Sequence, residues 1–252
     1  MPQQPSRGRL VAVSAVTAAA LPAALLVTGL PGLAAAPPST APASTSVPGH
    51  AVHAGPPARA GHGAHAVHRG ALTAKEARLH DRMRKLWEDH ITWTRLAIVS
   101  FADGSEGFAA TAARLLRNQQ HLGDAIKPYY GRAAGNRLTA LLHDHITLAV
   151  DLLTAAKAGD QDAVDRASRR WYANANDIAD FLAAANPDSW PRHAMRVAMR
   201  AHLDQTLAEA GHELTGRYRA SVRDYERVHH HILAMADTLS DGIVAAFPAR
   251  FR

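Results

Sequence analysis

Residues 141–160, LLHDHITLAVDLLTAAKAGD, contain the pattern that decides the fold class. Their apolar side chains recur at alternating steps of three and four, which places them along one face of an α-helix. Gly159 follows the last of these positions, and glycine commonly ends a helix there. The pattern predicts a helix over about residues 133–158 whose buried stripe includes a histidine. The stripe consists of Leu138, Leu141, His145, Leu148, Leu152 and Ala155.

The same periodicity continues through almost the whole chain after residue 72. Thr73 and Glu76 have the spacing of a capping box, which predicts the start of a helix. Residues 127–131, KPYYG, predict a turn. The predicted helices cover approximately residues 73–103, 109–117, 133–158, 162–185, 191–209 and 222–247.

No segment shows the clean alternation of apolar and polar residues that is typical of a strand. The sequence therefore predicts an all-α fold. Long helices joined by short turns are typical of an antiparallel helical bundle, here with four to five long helices. We assign this bundle domain to residues 73–248.

Residues 1–36 resemble an export signal. Arg7 and Arg9 precede a long apolar run, and small residues follow at positions 34–36. If the segment were not cleaved, its roughly twenty apolar residues would be long enough to anchor the chain in a bilayer. We therefore expect the protein to be exported, either secreted or tethered to the cell envelope. Contact with a membrane is expected only through this segment.

Residues 37–72 are rich in proline, alanine and glycine and have few large apolar side chains, which predicts a disordered linker. Neutral imidazoles on such a chain can bind Zn, Cu or Ni weakly. The alternative is a solubilising tether in which the histidines are incidental. The linker histidines are His50, His53, His62, His65 and His68.

Composition excludes several classes of function. The chain has no cysteine, which excludes disulfides, thiolate catalysis and iron–sulfur clusters. The net charge is +6, but four arginines and no acidic residue fall in residues 1–72, which leaves +2 for the bundle (6 − 4). This near balance argues against a nucleic-acid partner. No feature of the sequence identifies a protein partner.

A few polar residues interrupt the apolar stripes near the middle of their helices. Buried polar groups need partners, so residues at a common depth are expected to meet in one layer. Bundles build metal sites from such inward side chains on facing helices. The sequence therefore predicts a metal site for Zn, Cu, Fe or Mn. The predicted ligands are His90, His145, His202 and Glu209.

Two further stripe residues, Asn174 and Thr206, are predicted to support this layer. His229 falls on the stripe of the last helix together with Val222 and Tyr225. The alternative to a metal site is a hydrogen-bonded layer that fixes the register of the helices. The sequence contains neither the Glu-x-x-His set of ferritin-like diiron proteins nor the hemerythrin ligand spacing.

Several stretches resemble a family of small helical-bundle proteins from Streptomyces-like and Bacillus-like bacteria. The resemblance covers about residues 84–247. The stretches include LWEDHITWTRLAIVSFA (86–102), HITLAVDLLTAAKAGD (145–160), WYANANDIADFL (171–182), HLDQTLAEA (202–210) and MADTLSDGI (235–243).

The resemblance implies a bundle fold but no established activity. Automatic names such as acetylglutamate kinase or glycosyltransferase have been given to similar sequences. The chain has neither a Gly-rich phosphate loop nor the strand–helix alternation expected of a kinase or a Rossmann-like fold. The resemblance favours His90, His145 and His202 over the His229–His231 run. It also adds candidates for the polar layer, namely Trp93, Arg95, Asp151 and Asp237.

The function predicted from the sequence is binding of a metal ion or small cofactor outside the cytoplasm, through a His/Glu layer in the middle of the bundle. The alternative is a non-enzymatic envelope interaction or structural module whose polar layer is purely structural. An enzymatic role is less favoured by the sequence. It would require metal-assisted hydrolysis or oxidation at the same layer.

Overall fold

The computed structural model describes residues 72–252, and this part of the chain is helical with no β-strand. The predicted all-α bundle is confirmed. The predicted signal or anchor and all but the last residue of the predicted linker lie outside the described residues. The helices are α1 (Ala74–Ala102), α2 (Phe108–Ala158), α3 (Gln161–Ala185), α4 (Arg192–Leu214), α5 (Tyr218–Ala246) and a short 3₁₀ helix (Pro248–Arg250).

The predicted capping box begins α1, and its threonine also contacts the C-terminal segment of the chain. The backbone N–H of Glu76 donates to Thr73 Oγ1, and the backbone N–H of Thr73 donates to Glu76 Oε2 at 2.7 Å. Thr73 Oγ1 also donates to the carbonyl of Phe251 at 3.0 Å. Phe251 is buried in the main core, so the packed structure extends beyond residue 248.

Helix α2 reverses direction at Gly131. This residue has φ 86° and ψ 167°, a conformation that is strained for any residue with a side chain. A Cβ atom at Gly123 would lie 2.5 Å from the carbonyl oxygen of Gly135, and one at Gly135 would lie 2.6 Å from that of Gly123. The backbones on either side of the turn therefore pack against each other. We call residues 108–130 the first arm of α2 and residues 132–158 its second arm.

The first arm is longer than the helix predicted over 109–117. Its continuation buries Asn118 and Gln119 together with Leu122 and Ile126. Polar residues at buried positions interrupt the apolar stripe on which the sequence prediction depended. The turn itself lies where the KPYYG segment predicts it.

Neighbouring helices run in opposite directions around the bundle. As a consequence, α1, the second arm of α2, and α4 point the same way. Along each pair of neighbouring helices, residue numbers therefore rise on one helix as they fall on the other. The second arm of α2 contacts α3 through His145–Asn174 and Asp151–Arg170, and α3 contacts α4 through Tyr172–Asp204 and Asp180–Arg196. Helix α4 contacts α5 through Ala198–His231 and His212–Asp224, and α1 contacts α5 through His80–Asp241 and Glu88–His229.

The core of the bundle is apolar over most of its length. Trp190 is 1% exposed and covers Gly242, where an added Cβ would collide with the indole ring. None of the described helices combines the length and apolar character needed to cross a bilayer.

Candidate functional site

Three histidines from the three co-directional helices meet inside the bundle. His90 on α1, His145 on the second arm of α2 and His202 on α4 are 2%, 3% and 4% exposed. The ring centre of His202 lies 5.7 Å from that of His90 and 6.1 Å from that of His145. We call these three residues the imidazole cluster.

Asn174 orients His145. Its Nδ2 donates to the carbonyl of Leu141 at 3.1 Å, which turns its Oδ1 towards His145 Nδ1 at 2.8 Å. Because this oxygen can only accept, Nδ1 of His145 carries the proton and donates it. The Nε2 atom of His145 therefore has a free lone pair.

Gln119 sets the opposite tautomer at His90. Its Nε2 donates to the carbonyl of Leu115 at 2.8 Å and lies 3.2 Å from His90 Nδ1. Since the amide nitrogen is a donor, His90 Nδ1 accepts and its Nε2 carries the proton. The sequence did not predict Gln119 as a site residue, because the residue falls outside the helix predicted over 109–117.

His202 and its surroundings have unused hydrogen-bonding atoms. His202 Nδ1 is buried without a partner among residues 72–252, as are Gln119 Oε1 and the indole N–H groups of Trp87 and Trp171. The two indole rings lie 5.7 Å from His90 and 5.4 Å from His145, respectively. Within the same residues, no hydrogen bond reaches Nε2 of the three histidines. Unpaired buried polar atoms are rare in proteins, and here they lie on residues of the imidazole cluster or next to it.

All three imidazoles are uncharged at neutral pH. Burial, together with the charge that His145 can carry, lowers the pKa of His90 to about 3 against the opposing effect of the hydrogen bond to Gln119. Burial lowers the pKa of His145 to about 4 against the opposing effect of Asn174. Burial also holds the pKa of His202 well below its ordinary value. The neutral form is the one that binds metal ions.

Glu209 belongs to a different group of side chains. It follows His202 by seven residues on α4, which corresponds to about 10 Å along the helix. Its Oε1 accepts from Arg95 Nη1 at 3.3 Å, and Arg95 Nη2 lies 3.0 Å from Glu213 Oε2. Arg95 also donates to Ser221. We call Arg95, Glu209, Glu213 and Ser221 the arginine cluster.

Burial raises the pKa of Glu209 to about 7. The charge of Arg95 and its hydrogen bond lower this pKa, and the nearby carboxylate of Glu213 raises it. One guanidinium therefore faces two buried carboxyl groups, so the second negative charge is only partly compensated. The contacts place Glu209 with an arginine rather than beside the three imidazoles.

The remaining predicted residues are divided between the site and the surface. Asn174 supports His145, and Thr206 Oγ1 donates to the backbone carbonyl of His202 at 2.8 Å. The other three lie elsewhere: Trp93 contacts the guanidinium of Arg114, exposed Asp151 lies 3.7 Å from Arg170, and Asp237 accepts from Arg84 at 2.6 Å.

The first half of α5 buries a different face from the predicted one. The buried residues there are Ser221, Asp224 and Val228, each one position before the predicted Val222, Tyr225 and His229. Ser221 accepts from Arg95 and Asp224 pairs with His212, so partners on other helices compensate these buried polar groups. His229 is half-buried with its Nε2 atom 3.4 Å from Glu88 Oε1.

Within residues 72–252, no group of three or more histidine, aspartate or glutamate side chains is arranged to hold a metal ion. The rings of His145 and His202 are stacked, with an angle of 27° between their planes. The metal centre remains a prediction. What the site has is a group of neutral imidazoles with unoccupied nitrogen atoms.

Comparisons with known proteins add no relative to these observations. No protein-family model, curated protein or solved structure matches the chain. The family resemblance described from the sequence therefore stays a prediction, and the function is argued from the site itself.

Proposed function

We propose that this protein binds a single transition-metal ion through His90, His145 and His202. One observation carries the proposal: three buried, uncharged imidazoles from three helices lie together, and their Nε2 atoms make no hydrogen bond within residues 72–252. Because the ligand set is imidazole without a nearby carboxylate, Zn and Cu suit it better than Mn.

The spacing of the rings supports this proposal. Around a tetrahedral ion with metal–nitrogen distances of about 2.0–2.1 Å, neighbouring ring centres would lie about 5 Å apart. The observed separations of 5.7 and 6.1 Å exceed this value by roughly 1 Å or less. For the two pairs that include His202, binding would therefore require ring rotation and a small approach of the side chains.

The hydrogen bonds to Asn174 and Gln119 make His145 and His90 differ in how readily they can bind a metal ion. His145 already has a free Nε2 lone pair, and Asn174 orients it as outer partners of metal-binding histidines do. His90 would have to move its proton from Nε2 to Nδ1, which costs it the hydrogen bond from Gln119. We therefore expect His145 and His202 to bind the ion first.

Metal titration of the full chain tests the proposal, with the five linker histidines replaced by alanine to remove weak binding there. The expected result is one equivalent of bound Zn or Cu and a rise in melting temperature. His145→Leu should abolish both. His143→Leu removes an exposed histidine two residues away on the same helix and should change neither. Absence of stoichiometric metal together with an unchanged melting temperature would contradict the proposal.

A structural role for the imidazole cluster is the second candidate. It is favoured by the complementary tautomers: His90 has an N–H to donate, His145 has a lone pair to accept, and His202 lies between them. Such a row of imidazoles would fix the register of the helices without a metal ion. The protein would then be a non-enzymatic structural or envelope-interaction module. In that case His145→Leu would lower stability equally in metal-free and metal-loaded samples.

We also propose that the protein is exported. The support is the pair Arg7 and Arg9, the long apolar run and the small residues at 34–36. Cell fractionation followed by N-terminal sequencing tests this. A mature chain starting near Pro37 or a membrane-anchored full chain agrees with export, whereas a full-length chain in the cytoplasm contradicts it.

A further inference from the structure

A partly enclosed cavity lies one helical turn beyond the imidazole cluster. Its volume is about 50 Å³, and α1, both arms of α2, α3 and α4 contribute to its wall. The wall includes Thr94, Ala149 and Thr206, which follow His90, His145 and His202 by four residues each. Because residues four apart lie above one another on a helix, the three co-directional helices place small side chains directly after the histidines. These small side chains leave the space open.

The wall of the cavity is apolar even where threonines line it. The hydroxyl of Thr94 donates to the carbonyl of His90 at 2.8 Å, and that of Thr206 donates to the carbonyl of His202 at 2.8 Å. With their hydroxyls engaged by their own helices, the threonines contribute methyl groups to the wall. A buried water needs two to four polar partners, and these side chains do not offer them.

We propose that this cavity binds an uncharged, apolar molecule of about two heavy atoms, a class that includes dioxygen. An apolar cavity of about 150 Å³ holds benzene, with six heavy atoms, so a third of that volume corresponds to about two. The volume here is about 50 Å³. Leu207, 36% exposed, and half-buried Phe108 also line the cavity, so its wall reaches the protein surface.

The cavity adjoins the imidazole cluster through Trp171. This residue lines the cavity, and its ring centre lies 5.4 Å from that of His145. A molecule in the cavity would be separated from the imidazoles by one layer of side chains. The proposal concerns the cavity alone and does not depend on a bound metal ion.

Xenon is the probe for a first experiment on the metal-free full chain. Methyl chemical shifts of wall residues such as Ala97, Leu115 and Ala210 are measured by NMR at increasing xenon pressure. The expected result is a saturable shift at these methyl groups. Ala210→Val adds two methyl groups to the wall and should abolish the shift. Ala208→Val is the matched control on the same helix; residue 208 does not line the cavity, so this variant should bind xenon normally.

A second filling variant and a measurement with dioxygen complete the test. Ala97→Val fills the same space from α1 and replaces Ala210→Val if that variant fails to fold. Dissolved dioxygen should selectively enhance relaxation of the same methyl groups, because it is paramagnetic. If wild-type protein shows no saturable xenon shift, or if the shift survives in a folded filling variant, the proposal is wrong. Neither outcome bears on metal binding, which is measured separately.

Discussion

The imidazole cluster and the arginine cluster both contain buried titratable groups from α1 and α4, but the cost of burying these groups is compensated differently in the two clusters. In the imidazole cluster the groups lose their charge: burial lowers the pKa of His90 to about 3 and of His145 to about 4. In the arginine cluster Arg95 keeps its charge and pairs with Glu209 and Glu213, although burial still raises the pKa of Glu209 to about 7. Histidine can become neutral near its ordinary pKa at little cost, whereas an arginine cannot.

The comparison indicates where each cluster is vulnerable. A cluster of neutral groups tolerates a missing partner at the cost of one unsatisfied hydrogen bond. A cluster of charges that loses its paired guanidinium must protonate its carboxyl groups or admit water. The expected effects of substitutions therefore differ in size and in their dependence on pH.

The largest effect is expected for Arg95→Met. This substitution leaves Glu209 and Glu213 buried without their guanidinium partner, and loss of one partner of a buried ion pair typically costs about 3–5 kcal/mol. Urea unfolding at pH 7.5 measures the free energy of unfolding. Arg84→Met breaks an exposed pair with Asp237 and serves as the control, with an expected loss below about 1 kcal/mol. Equal losses in the two variants would show that the arginine cluster is not stabilised by its pairing.

A smaller effect is expected for Asn174→Leu in the imidazole cluster. The change leaves the Nδ1–H group of His145 without an acceptor, and an unsatisfied buried group costs about 1–3 kcal/mol. The free energy of unfolding is again the measurement. Asn176→Leu, at an exposed position on the same helix, is the matched control and should be nearly neutral. A loss above that of Arg95→Met would reverse the comparison between the two clusters.

The smallest effect is expected for Glu209→Gln, and it concerns the pH dependence of stability. Because the histidine pKa values are lowered in the folded protein, the contribution of these histidines to the free energy of unfolding is fully present above pH 6.5. It falls as pH decreases towards about 4, since the unfolded chain then binds protons that the folded chain does not. The raised pKa of Glu209 acts oppositely: its contribution is present below pH 4.5 and is lost as pH rises towards about 7. Between pH 4.5 and 6.5 the two trends partly cancel.

Glu209→Gln removes the opposing trend. The free energy of unfolding of this variant should therefore rise more steeply with pH between 4.5 and 6.5 than that of the wild type, by at most about 1.4 kcal/mol per pH unit. Unfolding curves at several pH values measure the slope. Glu226→Gln, at an exposed position, is the control. An identical slope in Glu209→Gln and wild type would show that Glu209 titrates normally in the folded protein.

The meeting of the three histidines could be anticipated because each lies near the middle of its helix, on the stripe that faces the core. Burial of the stripe forces His90, His145 and His202 inwards whatever the details of packing. Gln119 and the first arm of α2 could not be anticipated in the same way. Asn118 and Gln119 are buried because carbonyls on α1 and α2 accept their hydrogen bonds, and that compensation is invisible in local periodicity.

The position of Glu209 illustrates the same difference. Spacing alone places it on the face of α4 that includes His202, and this made it a predicted ligand. Its actual partner is Arg95 on α1. The positive charge of Arg95 attracts the carboxylate, whereas the neutral imidazoles carry no charge that could do so. Likewise, Ser221 and Asp224 replace apolar residues on the buried face of α5 because Arg95 and His212 reach them.

The order of the helices, their ends at Thr73 and Gly159, and the inward direction of the three histidines are properties of the chain itself. They follow from local periodicity and capping, which depend on residues a few positions apart. The folding-back of α2, the tautomers of the imidazoles, the pairing of Glu209 and the apolar cavity depend on the folded bundle. These features arise from contacts between distant segments, where packing and hydrogen-bond compensation outweigh the preferences of any single helix.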